Sequence, residues 1–170
     1  MLPQDRKRGL TANELRERLR YEPETGQFFQ RKRTNQWPID QEVGSISPNG
    51  YRRIRIDNKK YMAHRLAWLY VLGEWPSKWL DHKDGNRANN IWSNLREATA
   101  SQNMVNAKTR KTNKLGIKGV RLHENGRYQA RVGIGNSRYK HLGLFDTLEE
   151  AREAYRVAVI ERNGDFARLE

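Results

Sequence analysis

The first regular pattern along the chain predicts a short helix. Within residues 11–20, Leu15 and Leu19 share one helix face because they are four positions apart. Thr11 and Glu14 have the spacing of a capping box, in which each side chain accepts a hydrogen bond from the other residue's backbone N–H. A helix that begins directly after Thr11 is therefore expected.

A strict alternation of side chains then predicts a β-hairpin. The segment YRRIRI, which ends at Ile56, places Ile54 and Ile56 on one strand face and Arg53 and Arg55 on the other. An Asp-Asn turn signal follows, and residues 59–63 would form the return strand. Arg53 and Arg55 are candidates for a DNA contact, and an ordinary solvated hairpin is an equally good interpretation.

The middle of the chain predicts a buried helix followed by a strand, a loop, a strand and a helix. Residues 64–72 are apolar almost all round, which is typical of a buried helix. A strand is expected over residues 79–82 and its antiparallel partner at 95–96. The Asp-Gly pair and the polar run between them require a loop. A further helix is expected over residues 99–107.

The last part of the chain predicts three strands and one helix. The strands are expected over residues 118–122, 127–134 and 139–144, with hairpin turns at Asn125-Gly126 and 135–136. Thr147 and Glu150 form a second capping box, which opens a helix that reaches to about residue 162. Packing of the apolar sheet face on the apolar helix stripe would leave a basic sheet face exposed.

Composition narrows the class of partner. The chain has 170 residues and a formal net charge of +13, which favours a polyanion such as nucleic acid. Cysteine is absent from the sequence, which excludes disulfides and cysteine-based zinc sites. No apolar run is long enough for a membrane span, and the first residues lack the apolar core of a signal peptide. A protein that is not secreted and that acts in the cytoplasm is expected.

The candidate chemistry lies in residues 81–106. Asp81 and Asn103 offer the hard oxygen ligands that Mg²⁺ prefers. His82 would act as a neutral general base that deprotonates a water molecule for attack on phosphorus, and the surrounding positive charge should keep it unprotonated. An incidental histidine in a surface loop is the competing interpretation, and the joint spacing of Asp81, His82, Asn94 and Asn103 argues against it.

The segment DHKDGN…NN…NLR…T…N, together with the upstream HRLAW, resembles the HNH endonuclease family in the form found in phage and intron-encoded homing nucleases. The resemblance covers residues 61–106 and implies a ββα-metal fold. It implies that His82 is the general base, that Asp81 and Asn103 bind the metal, and that Asn94 ties the loop together by hydrogen bonds. Many members have histidine at the last position, so the metal preference is left open.

His64, in the same segment, has two interpretations. In one it is a second histidine of the active site. In the other it is a helix-start residue hydrogen-bonded in the core. The second is favoured, because His64 opens a helix that is expected to be buried.

A second resemblance covers residues 115–169. The segment from GIKGVRLHENGRYQARV to DFARL resembles the Apetala/ethylene-response-factor DNA-binding domain, which is also found fused to HNH nucleases. The positions that it implies read DNA are Lys118, Arg121, Arg131, Tyr139 and His141. Strand alternation adds Arg127 and Gln129 to the same face. The family usually has Trp at the positions of Tyr128 and His141 and Glu at that of Arg131, so the preferred DNA sequence is not predictable.

The expected fold class is α+β. An N-terminal helix and β-hairpin region (1–60) leads into an HNH ββα-metal nuclease core (61–107), a basic linker (108–115) and a three-stranded antiparallel sheet packed on one helix (116–170). Between Lys108 and Lys140 the sequence holds ten Lys or Arg residues and one acid, which reinforces a DNA-binding assignment for this part.

The expected function is a homing-type DNA endonuclease that uses Mg²⁺, with Mn²⁺ able to substitute, and that nicks double-stranded DNA as a monomer or weak dimer. A DNA-binding regulator with an inactive nuclease motif is the main alternative. An RNA-binding or ribosome-associated protein is a weaker one, because charge alone suggests it.

Overall fold

The computed structural model describes residues 9–33, 38–100, 102–103, 113, 115–135 and 138–166. Its contacts divide the chain into two compact units, residues 1–99 and 100–170. The basic segment expected to be a linker lies outside the described residues except at Asn113 and Leu115. Within the described residues, no helix is both long and apolar enough to cross a membrane.

The first unit contains two α-helices, seven strands and one turn of 3₁₀-helix among its described residues. In chain order these are α1 (Ala12–Arg18), β1 (Leu19–Glu22), β2 (Gln27–Gln30), β3 (Ser45–Ile46), β4 (Arg52–Ile56), β5 (Lys59–Met62), α2 (Ala63–Leu72), β6 (Trp79–His82), the 3₁₀ turn (Trp92–Asn94) and β7 (Leu95–Ala98). The strands form antiparallel sheets in the orders β1-β2, β3-β4-β5 and β6-β7.

The helix predicted after Thr11 begins there, with both hydrogen bonds of its capping box present, but it ends at Arg18, and Leu19, expected on its apolar face, begins β1 instead. The alternating segment forms β4, whose Ile54 and Ile56 side chains are buried. The apolar segment before Gly73 forms α2, and Gly73 ends it in the left-handed conformation that glycine adopts without strain. In α1, β4 and α2, apolar side chains of each element are buried in the core.

The core of the first unit runs across the domain boundary expected at residue 60. Leu15, Phe28 and Ile54 from before that position pack in one buried cluster with Leu66 and Leu69 of α2. Since neither part has a separate hydrophobic core, the helix and hairpins of the N-terminal region belong to the same folding unit as the segment that follows.

The second unit is a three-stranded antiparallel sheet covered on one face by a helix. Its elements are β8 (Val120–Leu122), β9 (Tyr128–Gly135), β10 (Arg138–Phe145), α3 (Leu148–Asn163) and a 3₁₀ turn (Gly164–Phe166), with the strands in the order β10-β9-β8. Residues 102–103 are also helical and belong to this unit. The predicted capping box at the start of α3 is confirmed.

Small residues allow the sheet and α3 to approach closely. Val120, Ala130 and Val132 from the strands pack against one buried face of α3. Gly119, with φ of +70°, lies against the ring of Tyr155, and an added Cβ would overlap that ring and the Arg131 carbonyl. Leu122 alternates along β8 onto the same side as Val120, yet it is 59% exposed, because β8 ends there before the hairpin turn.

Gly119→Ala should destabilise the second unit much more than Gly126→Ala. Both glycines have positive φ, so each substitution by alanine costs about 1 kcal/mol for the left-handed backbone conformation. Of the two, Gly119 is the position where the new methyl group meets packed atoms, since no atom of the described residues lies within 4 Å of a Cβ at Gly126. Amide hydrogen exchange of β9 and α3 measures the difference, and equal loss of protection in the two variants would contradict this packing.

Candidate active site

The loop between β6 and β7 is closed by one carboxylate and one carboxamide. The Asn94 side chain accepts from the Asp84 backbone N–H at 3.1 Å and donates to Asp84 Oδ1 at 3.0 Å and to the Asn89 carbonyl at 2.9 Å. Asp84 Oδ2 accepts from the Asn89 side chain at 2.7 Å. These bonds hold the two ends of the loop together, so that β6 and β7 pair in a single register.

Asp84 is stabilised as a carboxylate by this network. Burial pushes its pKa upward, but the hydrogen bonds from the Asn89 side chain, the Asn86 backbone and the Asn94 side chain outweigh burial and lower the pKa. The loop therefore keeps its internal hydrogen bonds at neutral pH, with Asp84 acting as acceptor only.

Asp81 faces an arginine across the β6-β7 ladder. The register pairs Asp81 with Arg96, and Asp81 Oδ2 accepts from Arg96 Nε at 3.0 Å and lies 2.9 Å from Arg96 Nη2. The Asp81 side chain is 6% exposed and that of Arg96 is 15% exposed. A largely buried carboxylate needs such a partner, because an unpaired charge in this place would be strongly destabilising.

His82 is buried beside Asp81 and held by an asparagine of the loop. Only 3% of His82 is exposed, and its Nε2 lies 3.3 Å from Asn90 Oδ1. Burial is the main cause that lowers its pKa, and Arg87 adds to the lowering, whereas Asn90, Asp84 and Asp81 oppose it. The neutral imidazole that was expected is therefore favoured, with burial rather than surrounding positive charge as the principal cause.

His64 lies against His82 in the structure. The two ring centroids are 5.1 Å apart, and the ring of Tyr51 lies 5.2 Å from His64 and 6.0 Å from His82. His64 is buried at the start of α2, as expected, but its Nδ1 has no hydrogen-bond partner among the residues that the structure describes. Burial, followed by His82 and Arg65, lowers the pKa of His64 well below its ordinary value. Two neutral imidazoles thus share one pocket.

Arg87 places a positive charge next to these rings. Its guanidinium lies 4.9 Å from the centre of the Tyr51 ring and donates to the Asn49 carbonyl at 3.0 Å. Arg87 itself is exposed. The loop after His82 therefore presents an anchored cation at its surface, which suits an anionic ligand.

The two residues that were expected to bind a hard divalent cation lie in different units of the chain. Asp81 supplies a carboxylate and Asn103 was expected to supply an amide oxygen, and oxygen ligands of this kind suit Mg²⁺ or Mn²⁺. Asn103 is half-buried in the helical segment at 102–103 of the second unit. Among the described residues, no group of three or more His, Cys, Asp or Glu side chains could hold a metal ion.

In the second unit, polar side chains connect the three strands on one face. Arg121 Nε donates to Gln129 Oε1 at 2.6 Å, and Gln129 Nε2 lies 3.3 Å from His141 Nδ1. The guanidinium of Arg131 lies 4.5 Å from the centre of the Tyr139 ring. Five of the residues singled out from the sequence are therefore linked in two contacting groups on the sheet.

The remaining candidates for DNA binding lie in different surroundings. Arg127 is ion-paired with Asp146 at 2.7 Å and donates to the Leu144 carbonyl, so its guanidinium is engaged at the end of the sheet. Lys118 lies in the turn before β8. In the first unit, Arg53 is half-buried and Arg55 is exposed, and both line a surface cavity at β3 and β4. Within the described part of the chain, Arg53 Nε has no hydrogen-bond partner.

Sequence reasoning missed four residues of the site. The expected pairing of the strands at 79–82 and 95–96 could have identified Arg96, because it lies directly opposite Asp81. Asn90, Arg87 and Tyr51 carried no such signal. Asn90 lies in a polar run that fits any loop, and Tyr51 reaches His82 through tertiary packing of β4 that local pattern does not specify.

A family model described as HNH endonuclease matches residues 61–105. HNH endonuclease L560 of Acanthamoeba polyphaga mimivirus is 34% identical over 136 residues, which are 78% of this chain and 70% of that protein.

Two further similarities cover parts of the chain. APETALA2-like protein 2 of Oryza sativa subsp. indica is 49% identical over 49 residues, 28% of this chain and 11% of that protein. A solved structure titled "DNA binding and cleavage by the HNH homing endonuclease I-HmuI" is 27% identical, covers 51% of this chain and 49% of that chain, and has a TM-score of 0.40.

The buried histidines should make the first unit less stable as the pH falls below about 6.5. The unfolded chain takes up a proton on His64 near that pH, whereas burial lowers the folded pKa. The unfolded state then binds more protons, so stability is full above pH 6.5 and falls by up to about 1.4 kcal/mol per pH unit for each such histidine.

Urea unfolding followed by tryptophan fluorescence between pH 5.5 and 7.5 measures this effect. All five tryptophans lie at or before residue 92, so the signal reports on the first unit. His64→Phe should reduce the pH slope, and His123→Gln, in an exposed turn of the second unit, should leave it unchanged. A slope that His64→Phe does not alter would show that His64 titrates alike in both states.

Proposed function

The chain belongs to the HNH endonuclease family, and from that premise we propose that it is a divalent-metal-dependent, homing-type DNA endonuclease that uses His82 as general base. Asp81 and Asn103 would bind the metal ion, and Mg²⁺ is the proposed physiological ion with Mn²⁺ as a substitute. The observation that carries the proposal is a buried, hydrogen-bonded, neutral-favouring His82 directly beside Asp81 on β6.

The surroundings of His82 suit the transfer of one proton. The imidazole would accept a proton from a water molecule whose oxygen then forms a bond to phosphorus, while the phosphorus–oxygen bond on the opposite side breaks. Because burial lowers the pKa of His82, the free base is available at neutral pH. Tyr51 and His64 shield the ring from bulk water. A bound metal ion would supply Lewis-acid stabilisation of charge on the phosphate and the departing oxygen.

Arg96 would orient the metal-binding carboxylate. Arg96 Nε and Nη2 both approach the same oxygen of Asp81, Oδ2, which holds that oxygen beside β7. A ligand held by an outer partner in this way loses little freedom when it binds an ion. Asn94 would act on Asp81 indirectly, because it closes the loop that sets the β6-β7 register.

The second unit would bind double-stranded DNA through the exposed face of its sheet. Arg121, Gln129 and His141 form one hydrogen-bonded group across the three strands, and Arg131 is supported by Tyr139. Arginine and glutamine side chains can form paired hydrogen bonds with guanine and adenine edges. The partial match to a plant APETALA2-like protein supports this proposal. Arg53, Arg55, Arg127 and Lys118 would add phosphate contacts.

One active site in each chain would cut one strand at a time. A monomer would therefore nick duplex DNA, and a weak dimer could cut both strands. The net charge of +13 implies that affinity falls steeply with salt, because many phosphate counterions would be released on binding. We place the enzyme in the cytoplasm of the cell that makes it.

Cleavage of supercoiled plasmid tests the proposed reaction. Conversion to open circles should require Mg²⁺ or Mn²⁺, should stop with EDTA, and should fall at least about 100-fold in His82→Ala. Asp81→Asn and Asn103→Ala should lose activity that raised metal concentration partly restores. His123→Ala, which alters a half-buried histidine between β8 and β9 of the second unit, should cleave as the parent does. Plasmid binding without metal-dependent cleavage by the parent chain would favour a DNA-binding regulator instead.

The sheet face is tested by binding rather than cleavage. Arg121→Ala and Arg131→Ala should each weaken DNA affinity by about 1–3 kcal/mol if they contact bases. Arg156→Ala is the matched control, because Arg156 is an exposed arginine of α3 that is ion-paired with Glu153. Fluorescence anisotropy at several salt concentrations measures both affinity and salt slope. If all three variants lost affinity equally, the sheet would have no special role.

A further inference from the structure

The first hairpin of the chain contacts the loop that holds His82. The Tyr21 hydroxyl of β1 donates to the Asn90 backbone carbonyl at 2.6 Å, and this bond is buried. The Trp92 backbone N–H donates to the Pro23 carbonyl at 2.9 Å. Gly26, with φ of +72°, lies so close to this loop that an added Cβ would overlap the Asn90 backbone. Residues 19–30 lie outside the matched segment 61–105, yet they pack directly on the site.

The orientation of the Asn90 side chain is set by a second contact. Asn90 is 1% exposed, and its Nδ2 donates to the Ala88 carbonyl at 3.0 Å. A carbonyl can only accept, so the amide nitrogen must face Ala88 and the amide oxygen must face His82. The group 3.3 Å from His82 Nε2 is therefore an acceptor. In a neutral imidazole this contact requires the proton to be on Nε2.

We propose that Tyr21 and Asn90 are positioning residues that fix the His82 tautomer with its proton on Nε2, so that Nδ1 is the atom that accepts the proton from water. This inference rests on the proposed nuclease function of His82. The hairpin acts through Asn90: Tyr21 holds the Asn90 backbone, and the Asn90 amide oxygen accepts from Nε2–H, which makes Nδ1 the basic nitrogen of the neutral ring. The hairpin is thus part of the nuclease site.

The proposed positioning role of Asn90 differs from a purely structural role in the loop, because the two roles require different atoms of the Asn90 side chain. A structural role would need only the bond from Nδ2 to Ala88, which stabilises the turn. The positioning role needs the acceptor oxygen that faces His82. Asn90→Asp keeps an acceptor and loses the donor, whereas Asn90→Leu loses both. The two variants therefore separate the roles.

The tautomer can be observed without any cleavage. The chain has four histidines, so long-range ¹H–¹⁵N spectra of the histidine-labelled full chain are simple, and His82→Gln assigns the His82 signals. At pH 8 the parent and Asn90→Asp should show the Nε2–H pattern at His82, and Asn90→Leu should show a mixture of the two neutral tautomers. A parent ring protonated on Nδ1, or an unchanged pattern in Asn90→Leu, would overturn the proposal.

Cleavage kinetics give the second readout. Asn90→Leu should lower kcat by about 10- to 100-fold with KM nearly unchanged, and Asn90→Asp should retain most of kcat. An equal loss of kcat in both variants would indicate loop support alone and would overturn the positioning role. If the parent chain does not cleave, the nuclease function fails, while the spectra still decide whether Asn90 sets the tautomer.

Tyr21→Phe tests the hairpin with a smaller change, in case Asn90→Leu does not fold. It should lower kcat as Asn90→Leu does, but by a smaller factor. Its spectra should show some of the His82 tautomer that carries its proton on Nδ1. Tyr70→Phe is the matched control, because the Tyr70 ring lies 5.7 Å from that of Tyr21 while its hydroxyl faces Arg31. Equal effects of Tyr21→Phe and Tyr70→Phe would contradict a positioning role for Tyr21.

Discussion

The closure of the loop by Asp84 and Asn94 is the interaction on which the site depends. The loop is polar and could not form a buried strand, so its own hydrogen bonds must replace those of a sheet. Once the loop is closed, His82 pairs with Leu95 and Asp81 with Arg96. A slip of one residue would turn Asp81 toward the opposite face and leave its carboxylate without Arg96. One network therefore fixes both candidate catalytic side chains.

Burial is the second constraint on the site. A chain with a net charge of +13 already disfavours additional positive charge, but the structure assigns the lowered pKa of His82 and His64 chiefly to their removal from water. Tyr51, His64 and His82 pack as one aromatic cluster between β4, α2 and β6. The core that joins residues on both sides of position 60 is what holds these elements together.

Local pattern was sufficient to predict most elements. The capping boxes at Thr11 and Thr147 predicted where α1 and α3 begin, because a cap is a contact within one turn of chain. Strand alternation predicted β4 and the sheet of the second unit, because burial on one face imposes a period of two. The helix expected over residues 99–107 can be compared at residues 99, 100 and 102–103: the described backbone is helical at 100 and 102–103 but not at 99.

Long-range contacts were beyond the reach of such patterns. Tyr21 and Asn90 are 69 positions apart, and nothing in either segment specifies that they meet. The same is true of Arg87 and Tyr51, which meet because the β3-β4 turn packs on the loop after β6. The shared core on both sides of residue 60 was missed for the same reason. Hydrophobic periodicity identifies the apolar face of each element, but it does not say which faces pack into one core.

The most direct measurement of the central claim is the binding of Mn²⁺ to the chain on duplex DNA, followed by electron paramagnetic resonance. The His82→Ala variant keeps the DNA intact. In that variant we expect tight binding of Mn²⁺, and we expect the additional change Asp81→Ala to abolish it. Tryptophan fluorescence confirms that the first unit remains folded. Equally tight Mn²⁺ binding with and without Asp81 would contradict a metal-dependent site at β6.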